Sequence, residues 1–330
     1  MVDRGCETEP LRPIHPRARP ALRVPGYRLG LAFVTASAVA WSLAGFFTRL
    51  IPLDSWTLLA WRGLFGGLGM VVVIAATARG RTVQDFRDLG WPGWLFAILS
   101  AIAMILFITA LRHTTVAHVS VIYATVPFVA AGLGWLVARE RPGASAVAAS
   151  LASLAGVVVM VGLSGEGSST GDLLALGMTS CMAAIMVIAR RCPGIPIMPV
   201  ACLAALLSGF AAWPLGRPLA VSGHDLLLLA LFGLLNSTVG LAFFTLGARH
   251  LPAIETALIG SLEAPLAPLW VWLAFSETPG ASTLVGGLVV FLAVGAHITA
   301  AAAKPEAAAG LGDATKQSSH ISAKEKRMDK

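Results

Sequence analysis

The sequence is poor in charged residues, and it contains no lysine before Lys304. Only 12% of its 330 residues are charged, whereas 56% are hydrophobic. A soluble domain usually carries about 25% charged residues. A chain of this composition cannot cover a water-exposed surface with polar groups. The composition therefore predicts an integral membrane protein whose partner is membrane lipid.

Several functional classes are excluded because the motifs that they require are missing. The four cysteines have neither metal-ligand spacing nor a paired framework, so we expect no metal site. No basic stripe interleaved with aromatic residues points to nucleic acid. No nucleotide-binding motif points to an ATP-driven pump, and the chain lacks the rings of charged or carbonyl groups that a channel needs. The sequence thus predicts no cofactor and no nucleic-acid partner.

Ten apolar stretches are long enough to cross a bilayer, since a spanning helix needs roughly 20 apolar residues. Short polar connections separate them, so neighbouring spans are expected to pack as antiparallel hairpins. The segments 1–28 and 303–330 have no hydrophobic periodicity and are predicted to be disordered. The predicted spans are 29–50, 55–78, 92–111, 116–138, 143–163, 171–189, 196–214, 225–247, 253–275 and 280–302.

The distribution of basic residues predicts the orientation of these spans. With the N-terminus placed inside, all but Arg49, Arg62, Arg112 and Arg217 of the 24 basic residues fall on the inner side. Cytoplasmic loops carry such an excess of Lys and Arg. The sequence therefore predicts ten spans with both termini in the cytoplasm.

An internal repeat relates the two halves of the chain. A shift of 137 residues brings Arg112-His113 onto Arg249-His250 and Glu140 onto Glu277, and it aligns two copies of Pro-Gly-Ala-Ser. The predicted repeats are 29–163 and 171–302, joined by an extracytoplasmic linker, 164–170. Because five spans is an odd number, the second repeat must be inverted relative to the first. Inverted repeats give two alternative conformations, so this architecture predicts transport by alternating access.

Two runs and two short motifs resemble a known family. One run begins IYATVPFVAAGLGWLVARE and the other begins IGSLEAPLAPLWVWLAFSE. These two runs resemble the paired signatures of the drug/metabolite transporter superfamily, EamA type. Ala40-Trp41-Ser42 and Ala60-Trp61-Arg62 fit its small-Trp-small and embedded-Arg patterns.

Within that superfamily the chain is most similar to amino-acid exporters of the YddG type. The resemblance implies a monomeric, multi-pass secondary transporter of the bacterial inner membrane. It implies export of amino acids, either aromatic ones or a broad set. Export of cationic drugs or other metabolites is the alternative within the superfamily.

Two charged residues lie inside predicted spans. Glu263 is placed near the bilayer midplane, where a charge costs roughly 3 kcal/mol, so it is a functional candidate. It could hold a substrate amine, couple transport to protons, or serve as a structural carboxyl. Arg62 could bind a substrate carboxylate through its planar fork, but a structural bond between helices is the favoured interpretation.

Prolines and aromatic residues complete the candidate site. Pro127 and Pro265 lie roughly midway along the fourth and ninth spans, where a proline removes a backbone donor and can provide a hinge. An aromatic cavity with few polar anchors would suit varied amino-acid side chains. The tentative lining residues are Trp41, Tyr123, Asn236, Phe243 and Glu263.

A membrane enzyme is the remote alternative. Gly162-Leu163-Ser164-Gly165 matches the motif of intramembrane serine proteases, whose serine needs a histidine at the same depth. Here His297 is predicted at the opposite side of the bilayer from Ser164. His118 is on the same side but has no carboxylate companion that the sequence reveals. The sequence therefore indicates a transporter and not an enzyme.

Overall fold

The computed structural model describes residues 26–77, 82–138, 144–163, 168–251, 256, 259–260, 262–282, 284–293 and 296. Within these ranges every regular element is a helix, and none is a strand. The helices are α1 Tyr27–Ser42, α2 Ala44–Leu50, α3 Ser55–Thr77, α4 Thr82–Arg87, α5 Gly90–His113, α6 Val116–Tyr123, α7 Val126–Ala138, α8 Ala144–Leu163, α9 Ser169–Arg191, α10 Ile197–Ala212, α11 Gly223–Phe232, α12 Gly240–Gly247, α13 Glu263–Phe275 and α14 Leu284–Ala293.

Seven helical stretches in the described part are long and apolar enough to cross a membrane. Each coincides with one of the predicted spans. They are Tyr27–Leu50, Ser55–Thr77, Gly90–His113, Val116–Leu136, Ser169–Arg191, Ile197–Leu215 and Gly223–Gly247.

Shorter apolar stretches, Ser150–Val159, Leu266–Phe275 and Leu284–Ala293, fall inside the other three predicted spans. Parts of those three spans lie outside the described residues. The count of ten therefore stays a prediction. So do the termini, because residues 1–25 and 297–330 also lie outside the described part. Ser164 and His297 lie outside it as well.

Four of the spans are not continuous α-helices. The first is interrupted at Leu43, between α1 and α2, and the fourth at the turn formed by Ala124 and Thr125. The eighth contains a π-helix, Gly233–Val239, between α11 and α12. In the ninth, a turn at Leu262 precedes α13. A backbone that departs from α-helix at membrane depth is tolerated where protein or a cavity satisfies it, so these interruptions indicate where a site can lie.

Polar residues begin several of the helices. Asp54 accepts hydrogen bonds from the backbone of Trp56 and from the backbone and hydroxyl of Thr57 at the start of α3. Partial burial raises the pKa of Asp54, but these hydrogen bonds together lower it below its ordinary value. Thr115, Ser168 and Ser222 cap α6, α9 and α11 in the same way. Such caps satisfy backbone donors that have no partner within the helix.

Glycine allows a close contact between two helices. α3 packs along α10, and a side chain at Gly63 would collide with the backbone of Ala205 and Gly209. Small residues at such contacts let helix backbones approach within van der Waals distance in a membrane. Large apolar side chains cover the outside, with Val72 67% and Leu173 69% exposed. This surface suits lipid and not water.

Candidate functional site

A narrow cavity lies where the interrupted first, fourth and ninth spans meet α5. The cavity is small in this conformation, with a volume of about 20 Å³, which leaves room for roughly one water molecule. Five helices, which belong to four spans, contribute to its wall, and three of these spans are broken beside it. The lining residues are Trp41, Ala44, Gly45, Phe107, Leu111, Val116, Val119, Ser120, Tyr123, Glu263, Ala264 and Ala267.

One polar group of the cavity, the Glu263 carboxyl, lies at a helix start. Glu263 is the first residue of α13, where the positive end of the helix dipole favours a carboxylate. Pro268 lies inside α13 and cannot donate the backbone bond that the carbonyl of Ala264 would otherwise accept. The cavity wall therefore combines one carboxyl group with one residue, Ala264, whose carbonyl lacks its regular helical donor.

Both predicted hinge prolines follow an interruption. Pro127 is the second residue of α7, and it is exposed on the outside of the protein. Pro265 is the third residue of α13. Proline is tolerated in the first turn of a helix because its missing N–H has no partner there. Each of these two prolines thus starts the second part of a broken span instead of bending a continuous helix.

Trp41 forms the aromatic wall of the cavity and is held by α12. Its indole packs on Gly240, where a side chain would collide with it, and its ring centroid lies 5.2 Å from that of Phe244. Phe243 packs against Phe33 instead, with 5.1 Å between ring centroids, and it does not line the cavity. The π-helix explains this register, because its wider turn inserts one residue relative to an α-helix.

Arg62 lies behind the cavity and contacts the second half of the chain. It is only 3% exposed. Its guanidinium donates to Oδ1 of Asn236, contacts the Met104 sulfur and lies 4.8 Å from the centroid of the Phe232 ring. Among the residues that the structure describes, no carboxylate lies within ion-pair distance of it. Arg62 is thus a buried cation held by neutral groups.

Asn236 connects Arg62 to the break in the first span. Its amide nitrogen donates to the carbonyls of Ala40 and Trp41, at 3.2 Å each. These carbonyls come directly before Leu43, where α1 ends. Asn236 therefore does not line the cavity, but it fixes the backbone of Trp41, which does.

An ion pair lies at one end of the cavity, where Leu111 and Val116 form the wall. Arg49 Nε donates to Glu277 Oε2 at 2.9 Å. The same guanidinium donates to the carbonyls of Leu111 and Thr114, while the backbone N–H of Val116 donates to Glu277. The pair thus joins the end of α2, the α5–α6 connection and the chain after α13.

The left-handed backbone of Ser276, with φ of 57°, ends α13 and turns the chain toward this pair. Sequence reasoning missed the pairing of Arg49 with Glu277. The repeat alignment had already distinguished Glu277 as the counterpart of Glu140, but it gave no partner for it.

Trp41, Tyr123 and Glu263 were predicted to line one cavity, and the structure brings these three together. Asn236 and Phe243 do not line the cavity: Asn236 contacts the backbone of Trp41, and Phe243 contacts Phe33. No group of three His, Cys, Asp or Glu side chains in the described part could hold a metal ion.

Comparison with known proteins identifies the family. The chain is 26% identical over 245 residues to an uncharacterized transporter of Bacillus subtilis, YwfM, and the match covers 71% of this chain and 81% of that protein. It also shares its fold with a solved structure described only as a crystal structure of a protein. The TM-score is 0.60 and the identity 22%, with 84% of this chain and 99% of the other covered. The EamA-like transporter family profile matches twice, at residues 28–162 and 169–298, and the chain therefore belongs to the EamA-like transporter family.

Proposed function

We propose that the protein is a secondary transporter that exports amino acids or closely related amines across the bacterial plasma membrane by alternating access. The observation that carries the proposal is the cavity at the broken spans, with its one carboxyl group and its aromatic wall. Substrate sites of secondary transporters are typically built from discontinuous helices near the midplane. Membership of the transporter family and the bacterial relative support the same function.

The pattern of helix contacts supports the inverted repeat on which alternating access depends. If each span of the first half corresponds to the span five places later, the contact of α5 with α9 corresponds to that of α12 with α1. The contact of α5 with α10 corresponds to that of α11 and the π-helix with α3. The contact of α6 and α7 with α9 corresponds to that of α13 with α1 and α2. Each of these contacts has its counterpart, as expected when either half can adopt the conformation of the other.

The lining chemistry favours a substrate with an amine. An ammonium group has three N–H donors. Glu263 offers a carboxylate, and the carbonyl of Ala264 lacks its regular helical donor because of Pro268. Trp41 provides an aromatic face next to them. An apolar or aromatic side chain would enter when the broken spans move and the cavity widens, and the aromatic wall agrees with a broad or aromatic amino-acid specificity.

One observation favours export of organic cations as a second candidate function. Glu263 is the charged residue among those that line the cavity, and Arg62 lies behind the wall with its guanidinium bound to Asn236. A cation without a carboxylate would need no further partner. A zwitterion would have to satisfy its carboxylate with water or with backbone N–H groups.

A substrate series in proteoliposomes tests both candidates. Proteoliposomes containing the purified protein would be loaded with labelled phenylalanine. Its exchange would be measured against external phenylalanine, phenylalanine amide and N-acetylphenylalanine. We expect phenylalanine and its amide to compete within about tenfold of each other, since both keep the amine. N-acetylphenylalanine should compete at least tenfold more weakly.

Counterflow of organic cations with none of any amino acid would select the second candidate. Equal competition by N-acetylphenylalanine would contradict amine recognition by Glu263. If no compound of either class exchanges, the proposed function is wrong.

A further inference from the structure

A buried pair of titratable residues lies on the side of α6 that faces away from the cavity. Nδ1 of His118 lies 3.0 Å from Oδ1 of Asp172, and the hydroxyl of Thr114 donates to the same oxygen at 2.9 Å. The side chains of His118 and Asp172 are 1% and 8% exposed. The cavity and the proposed function make no use of this group.

The pair connects the two halves of the chain. His118 belongs to α6, in the first match to the family profile, and Asp172 lies in the first turn of α9, in the second match. On its other side α6 carries Val119, Ser120 and Tyr123, which line the cavity. A change in the contact between α6 and α9 would therefore move the cavity wall.

Stability alone does not explain a buried pair of this kind. Replacing a buried ion pair by apolar residues of similar volume is often neutral or stabilising. A histidine beside a carboxylate is, in contrast, a common arrangement for a group that gains and loses a proton near neutral pH. The pair lies between two elements from different halves of the chain, so binding or losing a proton there can change how these elements pack.

We propose that His118 and Asp172 form the proton-binding site that couples this transporter to the proton gradient. The inference rests on the proposed function. With the proton bound, the imidazole ring is positive and its Nδ1–H donates to the Asp172 carboxylate. The two charges then cancel and α6 is held against α9.

When the proton leaves, the ring is neutral and the carboxylate keeps its charge in a buried position. The contact between α6 and α9 is then weaker, and α6 can move together with its cavity residues. The predicted topology puts the pair near the extracytoplasmic side. A proton taken up there would be exchanged for substrate that leaves the cell.

Other charged groups surround α6, but they have different partners. Glu277 accepts from the N–H of Val116 and pairs with Arg49, and Arg112 at the end of α5 donates to the carbonyl of Ile51. Glu263 faces α6 across the cavity. In the part of the chain that the structure describes, the titratable or charged residues facing α6 are Asp172 from α9, Glu263 and Glu277 from α13 and the chain after it, Arg112 and His113 from α5, and Arg49 from α2, whereas α8 has none in its sequence.

Two assays on the same proteoliposomes test the inference. The first is substrate counterflow at equal pH on both sides, which reports the proposed function. The second is substrate accumulation driven by an imposed pH gradient, with proton movement followed by a trapped pH-sensitive dye. We expect the wild type to perform both, and we expect His118→Gln to keep counterflow within about twofold. Its pH-driven accumulation should fall at least tenfold.

Two further variants separate coupling from folding. Thr114→Val removes a hydrogen bond to Asp172 but no titratable group, so it should shift the pH dependence of accumulation without abolishing it. His113→Gln, at the exposed end of α5, is the matched control and should behave as the wild type.

A wild type that performs counterflow but ignores the pH gradient would overturn the inference and leave the proposed function standing. So would a His118→Gln variant that accumulates substrate normally. Absence of counterflow in the wild type would contradict the proposed function itself.

Discussion

The amide oxygen of Asn236 accepts a hydrogen bond from Arg62, while its nitrogen donates to the backbone carbonyls just before the break in the first span. One side chain of the eighth span thus satisfies a buried cation of the second span and fixes Trp41 of the first. The embedded arginine of the sequence motif therefore does not line the cavity, and Asn236 connects it to the cavity wall.

Replacing Asn236 by alanine should destabilise the protein and slow transport. Removing one partner of a buried charge typically costs about 3 to 5 kcal/mol, so the detergent-solubilised variant should unfold at a clearly lower temperature. Gln84→Ala, which removes an exposed amide from α4, is the control. Equal melting temperatures for both variants and the wild type would show that Arg62 does not depend on Asn236.

Glu263→Gln should weaken substrate binding and leave the coupling to protons intact. The variant keeps the shape of the side chain but cannot offer a carboxylate to an amine, so every amine substrate should bind at least tenfold more weakly. Counterflow and pH-driven accumulation should then fall in parallel. Asp225→Asn, at the start of α11, is a control for loss of a carboxylate elsewhere. A variant that exchanges normally yet ignores the pH gradient would make Glu263 the proton-coupling group.

The prolines of the broken spans should divide into two classes. Pro268→Ala supplies an N–H to the carbonyl of Ala264, so substrate affinity should fall about three- to tenfold. Pro127→Ala and Pro265→Ala lie in first turns, and they should lower the transport rate more than the affinity if the interruptions act as hinges. Pro214→Ala, at an exposed site, is the control. Wild-type rates for both first-turn variants would rule out the hinge hypothesis.

The ion pair between Arg49 and Glu277 should control access to the cavity from outside. In a protein with its native cysteines replaced, Ala267→Cys places a thiol in the cavity wall. Glu277→Gln should increase the labelling of this thiol by an impermeant maleimide severalfold. Without the ion pair, α2, the α5–α6 connection and the chain after α13 are no longer held together, so the reagent can reach the cavity. The double charge reversal, Arg49→Glu with Glu277→Arg, should return labelling toward the wild-type rate. Unchanged labelling in Glu277→Gln would exclude the pair as a closure of the cavity.

The predicted topology can be tested with single cysteines in the same background. Cysteines at Ser168 and Ser222 should react with impermeant maleimide on intact cells. Those at Gln84 and Pro193 should react only after permeabilisation. Labelling of the Gln84 position from outside would contradict the count of ten spans and, with it, the inversion of the second repeat.

Hydrophobic length and periodicity were sufficient to predict most of the fold. Seven of the predicted spans are met by helices of the expected position, because a bilayer demands long apolar runs that the sequence displays directly. Trp41, Tyr123 and Glu263, which the sequence singled out by residue type and depth, lie at one cavity, and their role there stays a prediction. These features depend on residue type and depth alone.

The contacts around Trp41 could not be predicted in the same way. Asn236 and Phe243 share a face on an ideal α-helix, but the π-helix over Gly233–Val239 adds a residue to the turn and brings Phe244 to the indole instead. Nothing in the local sequence specifies such a turn. The pairing of His118 with Asp172 was missed for a related reason, because it depends on how two distant helices pack.

The hydrogen bond between Arg62 and Asn236 also has a consequence for biogenesis. The two residues are 174 positions apart, so at typical synthesis rates roughly 10 to 35 seconds pass between them. During this interval the newly inserted second span holds a guanidinium whose acceptor has not been made, and an unpaired charge inside a bilayer costs up to about 3 kcal/mol. A chain that stops before its eighth span therefore never completes the environment of Arg62.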